Sequence, residues 1–317
     1  MSFIPDYNNN NSNETKNIED FIPEYNNQNI ENLSNEINNL NINPPKNDQS
    51  ELKDKEWSED YEKIDRIQGG SGTYGKVIKA RNKKTGEERA IKLLDKYNDN
   101  FDEEKIKKEI KNAKKVENEN SVKIYDQYNS KKKIAIVMEL CDCNLLYKLK
   151  ESKGFSVNEI KNILVQLNNT FKIMIDKKVI HRDIKLENIL VKDGIFKLCD
   201  YGESKQLSTL YQKKNETHAG TNLTMAPEIL DDKPYDSKSD LWSLGVIIYQ
   251  MYFNDFPYKA NTDAALLKKI ENDKKQILIK KKSTNDKELD DLIIKLLKYN
   301  PDERLTWNEY FNHPFFK

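Results

Sequence analysis

Cysteine is scarce in this chain. Cys141, Cys143 and Cys199 are the only three among 317 residues. They are too few and too poorly partnered for a disulfide framework or a zinc site, so they are expected to be reduced residues in or near a core. Net charge is missing too. Lys and Arg together number 53, as do Asp and Glu, which leaves no argument for nucleic acid or an anionic membrane as the main partner. The lysine runs at 131–133 and 280–282 then read as solvated faces. No apolar stretch approaches the length of a bilayer span, and the first residues lack the basic-then-apolar order of a secretion signal. A soluble, intracellular protein is expected, cytoplasmic with the nucleus left open.

Large apolar side chains are few between Met1 and about Glu56, and the first fifty residues are about one-third asparagine. Such a stretch cannot bury enough surface to offset its ordering entropy, so residues 1–56 are expected to be disordered. Within them Phe3-Ile4-Pro5-Asp6-Tyr7-Asn8-Asn9 recurs as Phe21-Ile22-Pro23-Glu24-Tyr25-Asn26-Asn27. Two copies of one amphipathic peptide suit bivalent docking on a partner or on the chain itself. Drift or duplication in low-complexity sequence accounts for the recurrence as well. A short helix over Asn32 to Leu40 is the other feature of this arm.

From Tyr61 apolar and polar residues alternate as a strand requires, and an ordered domain is expected over 57–317. Gly70-Ser71-Gly72-Thr73-Tyr74-Gly75-Lys76-Val77 fits a glycine hairpin whose backbone can approach phosphates without side-chain obstruction. A dinucleotide-binding turn would be followed by a helix, whereas Val77-Ile78-Lys79-Ala80 reads as a strand. The next strand, Arg89 to Leu94, carries Lys92 in an otherwise apolar run, which favours an inward role for the lysine. A helix from Phe101 to Val116 is expected to bury Ile106, Ile110 and Ala113, with Glu109 beside that face and within reach of Lys92. Ser121 to Tyr128 and Lys133 to Leu140 read as two further strands before a helical C-terminal half.

The stretch from Val179 to Asn188, followed by Asp200-Tyr201-Gly202, carries the chemistry. A phosphoryl transfer needs an acid to orient the attacking hydroxyl and a cation on the transferring phosphate, with an amide and a second carboxylate to hold Mg²⁺. Asp183, Lys185, Asn188 and Asp200 supply these in order. Taken alone, an Asp, a Lys and an Asn in one short loop also fit an ordinary solvated turn.

The ordered set breaks that tie. From about Tyr61 to Lys317 the chain resembles the eukaryotic protein kinase family: the glycine loop, Ala90-Ile91-Lys92, His181-Arg182-Asp183 through Asn188, Asp200-Tyr201-Gly202 and Ala226-Pro227-Glu228 fall in family order. Asp240-Leu241-Trp242-Ser243-Leu244-Gly245 matches the family's central C-lobe helix, and Arg304 matches the arginine that pairs with Glu228. Arginine is sparse here and lysine abundant, so Arg182 and Arg304 mark places where a planar fork matters. The resemblance implies an α+β, bilobal fold. A small antiparallel sheet with one main helix forms an N-lobe over about 57–140, and a larger, mostly helical C-lobe covers about 141–317.

It also implies a mechanism and roles. Ile67, Gly70, Gly72 and Gly75 would cover ATP. Val77, Ala90 and Leu190 would sandwich the adenine, Met138 would be the gatekeeper, and backbone groups of Glu139 and Cys141 would read the adenine edge. Lys92, held by Glu109, would bind the α- and β-phosphates, and Asn188 and Asp200 would carry Mg²⁺. Asp183 would orient the substrate hydroxyl while Lys185 stabilises charge on the γ-phosphoryl group. Lys185, with the Gly220-Thr221 segment, points to the serine/threonine class and to protein substrates bearing Ser/Thr acceptors. Arg182 implies an activation loop ordered by phosphate, placed on Thr217 by its spacing from Gly220 and added by an upstream kinase or in trans by a second copy.

Several positions depart from the family pattern. Gln68-Gly69 lengthens the run before the first loop glycine and is expected to bulge the strand or to loosen the lid over ATP. Leu186 stands for the usual proline, Tyr201 for phenylalanine, and Thr224 for an aromatic that shapes the substrate pocket. The ribose contact is unassigned, with Asp142 as a candidate. A pseudokinase scaffold acting through the N-terminal repeat would be expected to lack one of Lys92, Glu109, Asp183, Asn188 and Asp200, and a small-molecule kinase usually lacks the segment ending in Ala226-Pro227-Glu228.

Overall fold

A computed structural model describes residues 52–72, 75–99, 101–206, 223–276 and 282–317. The N-terminal repeat, the Asn32 to Leu40 helix, Thr73, Tyr74, Thr217, Gly220 and Thr221 lie outside the described residues.

Five strands build one antiparallel sheet: β1 (Tyr61–Gly72), β2 (Gly75–Asn82), β3 (Glu88–Asp95), β4 (Ile124–Asn129) and β5 (Lys133–Met138). Their order is β1-β2-β3-β5-β4. The pairing of β1 with β2 slips between Arg66 and Ser71, across Gln68-Gly69, so the extra residues are taken up as an irregularity in the ladder. At the far end of the hairpin, a Cβ on Gly75 would lie 2.2 Å from the Leu93 carbonyl oxygen of β3. Close approach of the neighbouring strand already demands glycine there.

Helix α1 (Glu103–Lys115) packs Ile106 and Ile110 on Leu94, Ile134 and Ile136 of the sheet. Asp102 caps it by accepting from the Lys105 amide, and acidic residues at its start and Lys114 and Lys115 at its end complement the helix dipole. The edge strand β4 is covered by the chain just ahead of β1. Lys53 donates its amide to the Gln127 carbonyl and accepts from the Asn129 amide. Lys55 reaches Asp60 at 2.7 Å. The domain limit drawn at 57 from composition falls inside this arrangement, which blunts the open edge.

The larger half is helical. After β6 (Cys143–Asn144) come α2 (Leu145–Ser152) and α3 (Val157–Asp176), the latter opened by a capping box of Ser156 and Glu159. Four short strands follow, β7 (Val179–Ile180), β8 (Ile189–Lys192), β9 (Ile195–Leu198) and β10 (Lys205–Gln206), in two small sheets: β6-β8-β9, and β7 with β10. Then come α4 (Pro227–Leu230), α5 (Lys238–Phe253), α6 (Asp263–Asn272), α7 (Lys287–Leu296) and α8 (Trp307–Phe311). Thirteen of the sixteen residues of α5 are buried, so it is enclosed on all sides and forms the spine on which the other helices pack. A Cβ on Gly245 would come within 2.9 Å of Leu296 and Leu297, so α5 and α7 approach at contact distance only because that residue is glycine. No described helix is long and apolar enough to cross a membrane.

Candidate active site

Lys92 is carried into the cleft by β3, where its main chain pairs with Val77 on one side and Ile136 on the other. Its ammonium lies 2.7 Å from Glu109 Oε1 on α1 and 3.3 Å from Asp200 Oδ1. Three elements far apart in sequence therefore meet on one cation. Burial alone would lower the Lys92 pKa, but the Asp200 and Glu109 carboxylates outweigh it and hold the ammonium above its ordinary value. Of the two acids, the more enclosed Glu109 is pushed up by burial. Asp200 is held down, since Lys92 outweighs its burial cost.

The loop that carries Asp183 is pinned from beneath by Asp240 of α5. Its carboxylate accepts the amides of His181 at 2.7 Å and Arg182 at 2.8 Å. Burial raises the Asp240 pKa despite those donors and the nearby cations. The pinning holds Arg182 at φ 67°, a left-handed conformation that side chains rarely adopt, and Asp200 is similarly turned at φ 63°. His181 Nε2 lies 3.1 Å from the Cys199 carbonyl, while the Asp183 amide donates to His181 Nδ1 at 3.3 Å. A carbonyl only accepts and an amide only donates, so a neutral ring with its proton on Nε2 satisfies both. The ring also lies 4.9 Å from that of Tyr201, which ties the loop to the start of the next segment.

Asp183 is the focus of this loop. Lys185 Nζ reaches its Oδ2 at 2.7 Å, and Asn188 Nδ2 donates to both its Oδ2 and its main-chain oxygen at 2.9 Å. Burial would lower the Lys185 pKa, but Asp183 reverses this and raises it. Because the Asn188 amide nitrogen is committed to Asp183, its carboxamide oxygen faces the opposite way. The Cys199 amide donates to the Asn188 carbonyl at 2.9 Å, which brings Asp200 alongside.

The residues expected on the adenine side come from the five-stranded sheet and from β8. Ala90 is buried in β3 opposite Met138 of β5, and Leu190 lies on β8, which pairs with β6. The Glu139 carboxylate is clamped by Lys192 at 3.0 Å and Lys197 at 3.2 Å, which outweigh its burial and lower its pKa. Burial pushes the Cys141 thiol up to about 12, consistent with a reduced, unreactive residue. Asp142 accepts from the Asp193 amide at 3.0 Å, a long-range contact that directs the carboxylate to the β8–β9 connection.

The expected support pair is formed. Arg304 meets Glu228 through two bonds, Nη1 to Oε1 at 2.8 Å and Nη2 to Oε2 at 3.0 Å. Leu186, at the proline position, is fully buried and closes the loop from below. Thr224 is buried, and its carbonyl accepts from Ser243 at 2.8 Å.

A model of the protein kinase domain matches residues 61–316. The chain belongs to the protein kinase family. It is 33% identical over 261 residues to the serine/threonine-protein kinase TIO of Arabidopsis thaliana, covering 82% of this chain and 19% of that protein. It is 33% identical over 271 residues to calcium-dependent protein kinase 5 of Plasmodium falciparum (isolate 3D7), covering 84% of this chain and 47% of the relative. Against the Aurora kinase of Schizosaccharomyces pombe the identity is 32% over 251 residues, with 78% and 69% covered. The match thus spans about a fifth to two-thirds of these relatives. The bilobal α+β architecture is the one expected of the family, and the sheet with its single helix forms the smaller lobe of this kinase domain.

One group of residues in this kinase domain escaped the sequence reading. Glu203 links α1 to the catalytic loop, with Lys105 Nζ 2.7 Å from Oε1 and an Arg182 nitrogen 3.6 Å from Oε2. An acid directly after Asp200-Tyr201-Gly202 was the visible signal, but its partners lie far away in sequence.

Proposed function

We propose that the chain is an ATP-dependent protein serine/threonine kinase whose reaction is run by Lys92, Asp183, Lys185, Asn188 and Asp200. The observation that supports this most is the convergence of Lys92, Glu109 and Asp200 on one cleft together with the Asp183–Lys185–Asn188 cluster. Each is a group that phosphoryl transfer requires, and an acid or lysine lost from the set would remove the reading.

Lys92 presents a fixed positive charge to the α- and β-phosphates, and Glu109 keeps it extended. Asp183 accepts the hydrogen bond of a Ser or Thr hydroxyl, orienting its lone pair and receiving its proton as the hydroxyl oxygen bonds to the γ-phosphorus while the bond from that phosphorus to the β–γ bridging oxygen breaks and ADP leaves. Lys185, already beside Asp183, neutralises charge that gathers on the transferring group. The carboxylate of Asp200 and the outward carboxamide oxygen of Asn188 are hard oxygen donors suited to Mg²⁺. With only these two oxygen donors from the chain, the ion would be completed by phosphate oxygens and water. Mg²⁺ supplies positive charge to the phosphates when bound. The relatives named as serine/threonine kinases support Ser/Thr acceptors, and Lys185 two residues after Asp183 agrees. Phosphate on Thr217, set by an upstream kinase or a second copy, belongs to this reading as an added control that changes the rate by no more than about threefold.

The test is Mg·ATP transfer to peptide libraries bearing Ser, Thr or Tyr as sole acceptor. Phosphate on Ser and Thr peptides and none on Tyr peptides is expected. Labelling of Tyr alone, or of a small metabolite with no peptide labelled, would overturn it.

A further inference from the structure

The segment after Asp200 is bound to α1 and to the catalytic loop at the same time. β10 pairs with β7 in the register Lys205↔Ile180, which lays Glu203 beside Arg182. The Glu203 carbonyl accepts from Arg182 Nε, and Arg182 Nη1 donates to the Tyr235 hydroxyl at 2.6 Å. The Glu203 side chain then spans outward, with one carboxylate oxygen 2.7 Å from Lys105 Nζ on α1 and the other 3.6 Å from Arg182 Nη2. The side chains of Lys105, Arg182 and Glu203 are only 29%, 13% and 21% exposed, so solvent screens them weakly.

A second bridge lies two turns along the same helix. Buried Asn112 donates to Ser204 Oγ at 3.0 Å, and that hydroxyl donates to the Tyr201 carbonyl. Glu109 lies between Lys105 and Asn112 on the helix and carries the bond to Lys92. Residues 203 and 204 therefore hold α1 on both sides of the residue that orients the phosphate-binding lysine.

From this geometry we infer that Glu203 is a positioning residue. Its carboxylate, supplied by the chain itself, neutralises Arg182 and draws α1 inward, so that Lys92–Glu109 is set before any phosphate is added further along the segment. The arrangement needs one anion between two cations, and an acid immediately after Gly202 delivers it without modification. This inference rests on the kinase reading for its turnover measurements only. Glu203 touches neither nucleotide nor acceptor in this scheme. It acts through Lys105, α1 and Arg182.

The experiment uses the full chain stripped of phosphate by a phosphatase, checked by intact mass, with initial rates of peptide phosphorylation and affinity for a Mg-bound non-hydrolysable ATP analogue read in parallel. Stripped wild type is expected to transfer within about threefold of untreated protein, because the internal carboxylate replaces the phosphate. Stripped Glu203→Gln is expected to lose about tenfold or more in kcat/KM for ATP and to bind the analogue more weakly, with Glu203→Asp recovering part of both. Lys105→Gln, which changes only the helix side, should shift both readouts in the same direction while the melting temperature stays near wild type. A stripped wild type that itself falls tenfold, or Glu203→Gln and Lys105→Gln proteins with unchanged rate and analogue affinity, would overturn the inference. A wild-type chain that transfers nothing would sink the kinase reading instead. In that case analogue affinity decides this inference alone, weaker binding in the two variants supporting it and equal binding refuting it.

Discussion

Arg304 and Glu228 meet as a bidentate pair in which the arginine side chain is fully enclosed and the glutamate is 5% exposed. Arg304 also donates to the carbonyls of Lys238 at 2.7 Å and Lys298 at 3.1 Å, and its guanidinium lies 5.3 Å from the Trp242 ring. One fork thereby joins α4, the start of α5 and the chain after α7. Lysine offers no planar fork and cannot make these bonds together.

Removing one partner leaves the other charge buried and unpaired, which costs about 3–5 kcal/mol. Arg304→Lys and Glu228→Gln should each lower the melting temperature by several degrees or leave the protein insoluble. Thermal unfolding followed by calorimetry checks this, and a variant melting with wild type would show the pair to be dispensable.

Lys92 and Glu109 make a different claim. Glu109→Gln keeps the size of the side chain and removes the charge that holds Lys92, so the loss should fall on nucleotide handling rather than on stability. KM for ATP should rise about tenfold or more with the melting temperature little changed. Lys92→Met should leave almost no turnover. A Glu109→Gln enzyme with unaltered ATP kinetics would remove the positioning role.

The Tyr201 hydroxyl is buried and has no hydrogen-bond partner among the described residues. Phenylalanine at this site would keep the ring against His181 and delete an unsatisfied polar group, a change that is neutral or stabilising. Tyr201→Phe should melt at or slightly above wild type and keep its activity. A drop of several degrees would reveal a bond to that hydroxyl.

His313 gives a pH dependence with a definite sign. Burial lowers its pKa from 6.5, although Asp291 at 3.0 Å pulls the other way. The unfolded chain therefore takes up the proton more readily. The stabilising contribution is complete above about pH 6.5 and is lost as pH falls through that value toward the lower folded-state pKa. His313→Asn keeps an acceptor for the Phe315 amide and removes the titration. Between about pH 7.5 and 5.5 wild type should lose more melting temperature than His313→Asn, and parallel curves would contradict the assignment.

The chain's chemistry was legible wherever it was written in short spacings. Asp183, Lys185 and Asn188 fall within one loop, and the apolar periodicity of α1 placed Glu109 beside its buried face without any knowledge of the sheet. The Gln68-Gly69 excess announced an irregularity in β1, and the register shows one. What escaped notice depends on contacts across long stretches of chain. Glu203 finds Lys105 and Arg182 through the pairing of β10 with β7, which two-residue strands do not advertise by periodicity. Lys53 and Lys55 were grouped with a polar arm by composition, yet they are fixed by Asp126, Asp60 and the edge of β4. Asp142 was an open candidate for the ribose, and only the fold shows it turned to Asp193.

The central claim is that Asp183 orients the acceptor hydroxyl while other groups hold the nucleotide. It is tested most directly by Asp183→Asn, which keeps the shape of the loop and removes the proton acceptor. Initial rates of Mg·ATP transfer to a Ser/Thr peptide should fall by about a thousandfold, with affinity for a non-hydrolysable ATP analogue within about threefold of wild type. Transfer by Asp183→Asn at the wild-type rate would contradict the account.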